Sequence, residues 1–201
     1  MTPIGVLCFA DTLFNAKPAA ENGKPRFSVI IGFDATAMKT SQYQDLRAAV
    51  VAAATDKWGA VKAADPAFMR SLRLPFRNAG EKDYEGFDQF EVYISPWSPG
   101  DKKRPGVVDI NGTDITVPGD VYSGQLGRAT VRAFAYDNSG NKGIAFMLEH
   151  VQIVKADMPR IDGRRSAQKA FEGVDNSQLA ALGTAPGSAA SGPAPSEDMP
   201  F

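Results

Sequence analysis

The sequence predicts a mainly β protein: a small antiparallel barrel with one inserted amphipathic helix and a disordered C-terminal tail. Three observations carry that expectation. Short runs rich in β-branched and aromatic residues recur between residues 5 and 154, mostly joined by local turns. One stretch only, beginning near Ser41, has a helical period. From Gly183 to Ser196 (GTAPGSAASGPAPS) every residue is small, Pro or Thr, so nothing there can be buried. Local turns in place of helical crossovers favour a barrel over a βαβ sheet.

The strands expected are Gly5 to Ala10, Arg26 to Phe33, Gln89 to Ser95, Val107 to Ile110, Ile115 to Val117, Gly127 to Tyr136 and Ile144 to Val154. In Arg26 to Phe33 the apolar Phe27, Val29, Ile31 and Phe33 share one face and leave Arg26 and Ser28 on the other. Ser41 reads as the N-cap of the helix, in which Tyr43, Leu46, Val50, Ala53, Ala54 and Trp58 recur at spacings of three and four until Gly59 stops the pattern. In Gln89 to Ser95, Phe90, Val92 and Ile94 alternate inward, which turns Tyr93 outward. Pro96 to Gly106 (PWSPGDKKRPG) reads as a loop. Asn111-Gly112 lies between two β-branched runs and signals a hairpin, because both residues tolerate positive φ. Asn138 to Gly143 supplies a longer turn before the final strand.

The 201 residues carry 22 Lys and Arg against 23 Asp and Glu, with one Cys and one His. No internal disulfide is possible, and one Cys with one His cannot complete a four-ligand zinc site; Cys8 is expected to be a buried, reduced small hydrophobe. The longest apolar run is the seven residues Ala48 to Ala54, where a membrane span needs about 20. With no charged start followed by an apolar region, the expectation is a soluble cytoplasmic protein. Charge is unevenly placed: residues 1–155 hold 18 basic and 17 acidic residues, and 156–201 hold four and six. Beyond Lys169 only acids remain. The expected organisation is a barrel domain over residues 1–158, a linker over 159–196 that becomes low-complexity at 183, and a tip, 197–201, of Glu197, Asp198, Met199, Pro200 and Phe201.

No catalytic constellation is present. His150 is the one imidazole and lies inside a predicted strand, so a structural role outweighs general-base chemistry. Asp83, Glu85, Asp88 and Glu91 surround a turn-like stretch and read as a solvated loop and strand edge in preference to a metal site. No catalytic residue, metal or cofactor is expected.

The most informative segment is Gly127 to Tyr136 (GRATVRAFAY). Gly127, Ala129, Val131, Ala133 and Ala135 fall on one face, small enough for the inside of a narrow barrel; Arg128, Thr130, Arg132, Phe134 and Tyr136 fall on the other. Guanidinium groups interleaved with rings suit a single-stranded nucleic acid, cations meeting phosphates and flat faces stacking on bases of any identity. Tyr93 offers a second platform. Trp97, beside the run Lys102-Lys103-Arg104, suits a phosphate track, and Arg26 is a further cation.

Arg104-Pro105-Gly106-Val107-Val108-Asp109, Val121-Tyr122-Ser123-Gly124, Arg132-Ala133-Phe134-Ala135-Tyr136-Asp137 and Asn141-Lys142-Gly143-Ile144 with Val151-Gln152 follow one another as in the single-stranded DNA-binding proteins of tailed bacteriophages. The resemblance covers about residues 4 to 155, including the helix end Lys57-Trp58-Gly59. It implies an OB-fold, sequence-independent binding of single strands in the host cytoplasm, and a part in phage DNA replication, recombination or repair. Ser196-Glu197-Asp198-Met199-Pro200-Phe201 is similar to the acidic, Pro-Phe-ending tip of bacterial single-stranded DNA-binding proteins, which implies recruitment of replication or repair proteins. A phage structural or adaptor barrel that binds protein is the alternative from another class.

Overall fold

The computed structural model describes residues 1–21 and 23–161. The expected linker from 162 onward and the tip Glu197 to Phe201 lie outside them. In chain order the elements are β1 (Gly5–Cys8), β2 (Lys17–Pro18), β3 (Pro25–Ser28), β4 (Ile30–Phe33), α1 (Ser41–Trp58), α2 (Ala60–Ala64), α3 (Pro66–Ser71), β5 (Arg77–Asn78), β6 (Val92–Ile94), β7 (Trp97–Pro99), β8 (Gly106–Val108), β9 (Leu126–Asn138) and β10 (Asn141–Lys155).

Several expected strands are bent or shortened. The run Arg26 to Phe33 forms two strands, β3 and β4, joined at Val29, whose N–H donates to the Pro96 carbonyl at 3.3 Å. Across from it, β6 and β7 are joined through Ser95-Pro96. Each pair is one bent strand. β4 pairs with β1 and β6, β3 pairs with β7, β7 meets β10 in parallel at Met147 and Trp97, β10 pairs with β9, and β9 returns to β1. The circuit β1, β3–β4, β6–β7, β10, β9 therefore closes on itself, through two residue pairs between β1 and β9 and one between β7 and β10. It is antiparallel except at the β7–β10 junction, with β8 added in parallel beside β10. The Pro96 to Gly106 stretch, expected as loop, contributes β7.

β9 and β10 form the dominant hairpin. The expected six-residue turn is reduced to Ser139 and Gly140, with φ of 50° and 87°, and positive φ at both central residues matches the right-handed twist of the flanking strands. Asn111-Gly112 does turn, with Gly112 at φ 83° and the Asp109 carboxylate accepting from the Asn111 and Thr113 N–H groups at 2.8 Å. Ile115 to Val117 is no strand, however: the returning arm leaves after the Val108–Asp114 bridge and one Ile115 N–H bond to Val107.

The core lies inside the circuit. Leu7, Ile31, Phe33, Ile94, Ile144 and Phe146 are at most 2 % exposed, and the expected inward residues Val131, Ala133 and Ala135 pack against them. α1 presents Tyr43, Leu46, Val50 and Ala54 to this core and packs chiefly on β9. Its N-cap is Thr40, one residue before the expected Ser41; Thr40 Oγ1 accepts from the Tyr43 N–H at 3.3 Å. Gly59, at φ 85°, ends the helix. α2 and α3, which the periodicity did not predict, carry the chain back toward β5.

A second cluster covers the outer surface of β1, β4 and β6. Cys8, Ala79, Phe87, Phe90 and Tyr93 pack there, and Phe90 lies so close over Gly32 that a Cβ on Gly32 would fall 2.3 Å from the ring. Burial pushes the Cys8 thiol up to about 12, which agrees with its expected role as an unreactive hydrophobe. Tyr93 therefore offers no outward platform, contrary to expectation. It is 7 % exposed, with its ring 5.4 Å from that of Phe87, because β6 is covered on both faces: Ile94 by the main core and Tyr93 by the 79–90 segment.

Candidate nucleic-acid interface

Cross-strand partners project to the same side of a sheet, so the register decides which side chains share a surface. Along β9 and β10 the outward pairs are Arg128 with Gln152, Thr130 with His150, Arg132 with Met147, Phe134 with Ala145 and Tyr136 with Gly143. Met147 in turn aligns with Trp97, Trp97 with Ser28, and Arg26 with both Pro99 and Lys17. One continuous surface across β3, β7, β10 and β9 thus carries Arg26, Trp97, Arg132, Phe134, Tyr136 and Arg128.

The contacts within it are close. Trp97 and Phe134 meet edge to face, with centroids 6.0 Å apart and planes at 77°. The Arg26 guanidinium lies 5.7 Å from the Trp97 centroid, within cation–π range. Partial burial lowers the Arg26 pKa from its ordinary value, yet a guanidinium keeps its charge at any ordinary pH. Arg132 Nη2 reaches the Met147 sulfur at 3.4 Å. Arg128 donates to Gln152 Oε1 at 2.8 Å, and Gln152 Nε2 donates to the carbonyls of Asp109 at 3.1 Å and Ile110 at 3.3 Å, so this arginine also anchors the Asn111-Gly112 turn. Tyr136 is half-buried over Gly143, where a Cβ would fall 2.5 Å from its hydroxyl.

The loop after β7 contributes unequally. Lys102 and Lys103 are exposed, and Lys102 borders a groove shared with Trp97, Arg26 and Lys24. Arg104 turns aside and lies 4.4 Å over the Phe14 ring. Tyr93, buried on the opposite flank, has no face left to stack. His150 is exposed, its Nδ1 accepting from the Gly106 N–H at 3.2 Å. Among the described residues no group of three or more His, Cys, Asp or Glu could hold a metal ion, and no helix is long and apolar enough to cross a membrane.

Sequence reasoning missed Met147, Lys17 and Phe14. Met147 was within reach, since inward Ile144, Phe146 and Leu148 leave it outward opposite Arg132. Lys17 lies in the two-residue β2 and Phe14 just before it, in stretches too short or too irregular to show a period.

A closed circuit of five strands in the order β1, β3–β4, β6–β7, β10, β9, with rings and cations gathered on β3, β7 and β9, defines an OB-like barrel. The chain belongs to the family described as Enterobacter phage Enc34, ssDNA-binding protein, whose model matches residues 7–180. Among solved structures it is similar to the single-stranded DNA-binding protein from bacteriophage Enc34 in complex with ssDNA, with TM-score 0.61 and 15% identity over 78% of this chain and 86% of that one. A second structure of the bacteriophage Enc34 protein gives TM-score 0.58 and 19% identity over 85% and 88%. The gp2.5 single-stranded DNA-binding protein encoded by bacteriophage T7 gives TM-score 0.52 and 16% identity over 82% and 96%. No curated protein matches the chain.

Proposed function

We propose that this protein binds single-stranded DNA of any sequence through the surface centred on Trp97 and Phe134, without catalysis, in phage DNA replication, recombination or repair within the host cytoplasm. The observation that carries the reading is the contact set Arg26–Trp97–Phe134 beside Arg132, two rings and two guanidinium groups on one face of the barrel. Rings supply stacking at about 1–3 kcal/mol per base, and guanidinium groups neutralise phosphates.

The pleat also favours single strands over duplex. Phe134 and Tyr136, two residues apart on β9, stand about 6.6–6.8 Å apart along the strand, twice the roughly 3.4 Å advance per nucleotide in a stacked DNA strand. Rings at that spacing suit bases pulled apart from one another. A duplex, whose base faces are already covered, offers them nothing.

Lys102, Lys103 and Arg128 extend the cationic surface, and the tip Glu197 to Phe201 recruits replication or repair proteins, a reading supported by its acidic, aromatic-ended sequence. Titrating Trp fluorescence with oligo-dT at several salt concentrations tests the function. Four to six phosphate contacts predict a log–log salt slope of about −3 to −4, from roughly −0.7 per phosphate on single strands. A slope near zero, or duplex bound as tightly as the single strand, refutes it.

A further inference from the structure

We propose that the groove beside Trp97 is a base pocket in which the Asp101 carboxylate accepts a hydrogen bond from an exocyclic amino group, so that amino-bearing bases are held more tightly there than thymine. The inference rests on the single-stranded DNA reading and adds a preference to it. The groove is bordered by Lys24, Arg26, Trp97 and Lys102, and Asp101 is the one acid among its lining residues. On a surface that served phosphates alone, this carboxylate would only repel the ligand.

Two features make Asp101 available as an acceptor. The ion pairs among the described residues are Lys17–Asp11 and Lys142–Asp137, so Lys24, Arg26 and Lys102 leave the Asp101 carboxylate unengaged. Its position is also fixed. Lys102 N–H donates to the Pro99 carbonyl at 3.2 Å and Gly100 N–H to the Pro25 carbonyl at 2.9 Å, pinning the turn that carries Asp101 to β3, next to the stacking ring.

An ionised carboxylate only accepts hydrogen bonds. Cytosine presents an N4 amino donor where thymine presents the O4 carbonyl, so a base stacked on Trp97 meets attraction in one case and repulsion between oxygens in the other. Lys102, on the same turn, is placed to meet the cytosine carbonyl. The two pyrimidines are closely matched in stacking area, which isolates the hydrogen-bonding edge as the difference.

The test titrates the full chain with oligo-dC and oligo-dT of equal length, at one salt concentration and mildly alkaline pH. Oligo-dC should bind about fivefold more tightly, the worth of one good base-edge contact. Asp101→Asn offers an acceptor to cytosine and a donor to thymine, and Asp101→Ala offers neither; both should bring the ratio close to one, chiefly by strengthening oligo-dT. Equal affinity of the wild type for the two oligomers overturns the proposal. So does a variant that strengthens both by the same factor, which would show Asp101 acting only as a repelling charge. Failure to bind either oligomer overturns the single-stranded DNA reading as well, and is told apart from those outcomes by the missing titration signal.

Discussion

Two aromatic residues that the sequence places side by side in purpose, Tyr93 and Trp97, are separated by the structure into opposite roles. Tyr93 is sealed between Phe87 and the outer surface of β6, while Trp97 is half-buried on the face that holds Arg26 and Phe134. Replacing each by Ala should separate the roles. Trp97→Ala or Phe134→Ala should weaken single-stranded DNA binding by about 1–3 kcal/mol with the unfolding midpoint little changed. Tyr93→Ala should cost about 3 kcal/mol or more of stability, as large-to-small changes of buried rings do, and leave affinity unchanged in the protein that remains folded. Denaturant unfolding alongside fluorescence titration reads both; loss of DNA binding by folded Tyr93→Ala would return that ring to the interface.

The β9–β10 hairpin is the element in which alternation alone gives the inward and outward sides that the structure shows. Its inward side of Gly127, Ala129, Val131, Ala133 and Ala135 is too small and apolar for any other use, so the outward set follows by geometry. Ala133→Asp should therefore unfold or strongly destabilise the barrel, since it places an unpaired charge against the core; a stable variant with weakened DNA binding would mean that the two faces are interchanged. The helix was equally legible, because its stop at Gly59 and its apolar spacing are local signals. What alternation could not show was the far side of β6, where the covering residues Ala79 and Phe87 come from a loop with no period of its own and Phe90, expected inward with Ile94, lies outward over Gly32. Nor could it show the bends at Val29 and Ser95-Pro96, which depend on pairing between segments 59 to 73 residues apart in the chain. The cation run is a single unit in the sequence, yet contacts beyond it send Arg104 to Phe14 and Lys102 to the groove.

At the scale of the whole molecule, the acids of the tip and the cations of the barrel belong to one chain. Deleting Glu197 onward should leave DNA affinity equal or slightly higher, the more so at low salt where screening is weak, while deleting Met199 to Phe201 should remove binding to a replication or repair partner. A tenfold loss of DNA affinity on truncation at Ser196, about 1.4 kcal/mol, would put the tail inside the binding site. The bent strands have a different reach. Because β3–β4 and β6–β7 are each continuous, the segment proposed to meet the nucleic acid and the segment roofed by Phe87 and Phe90 are two ends of the same peptide runs, hydrogen-bonded to each other across the bend. Holding one end still restrains the other. In hydrogen–deuterium exchange, single-stranded DNA should slow the amides of Ile30–Phe33 and Val92–Ile94 on the flank remote from the ligand as well as those of Arg26–Ser28 and Trp97–Ser98 beneath it, as expected when neighbouring segments open as one cooperative unit. Slowing confined to the near ends would show that the bends act as joints and that the two flanks breathe independently.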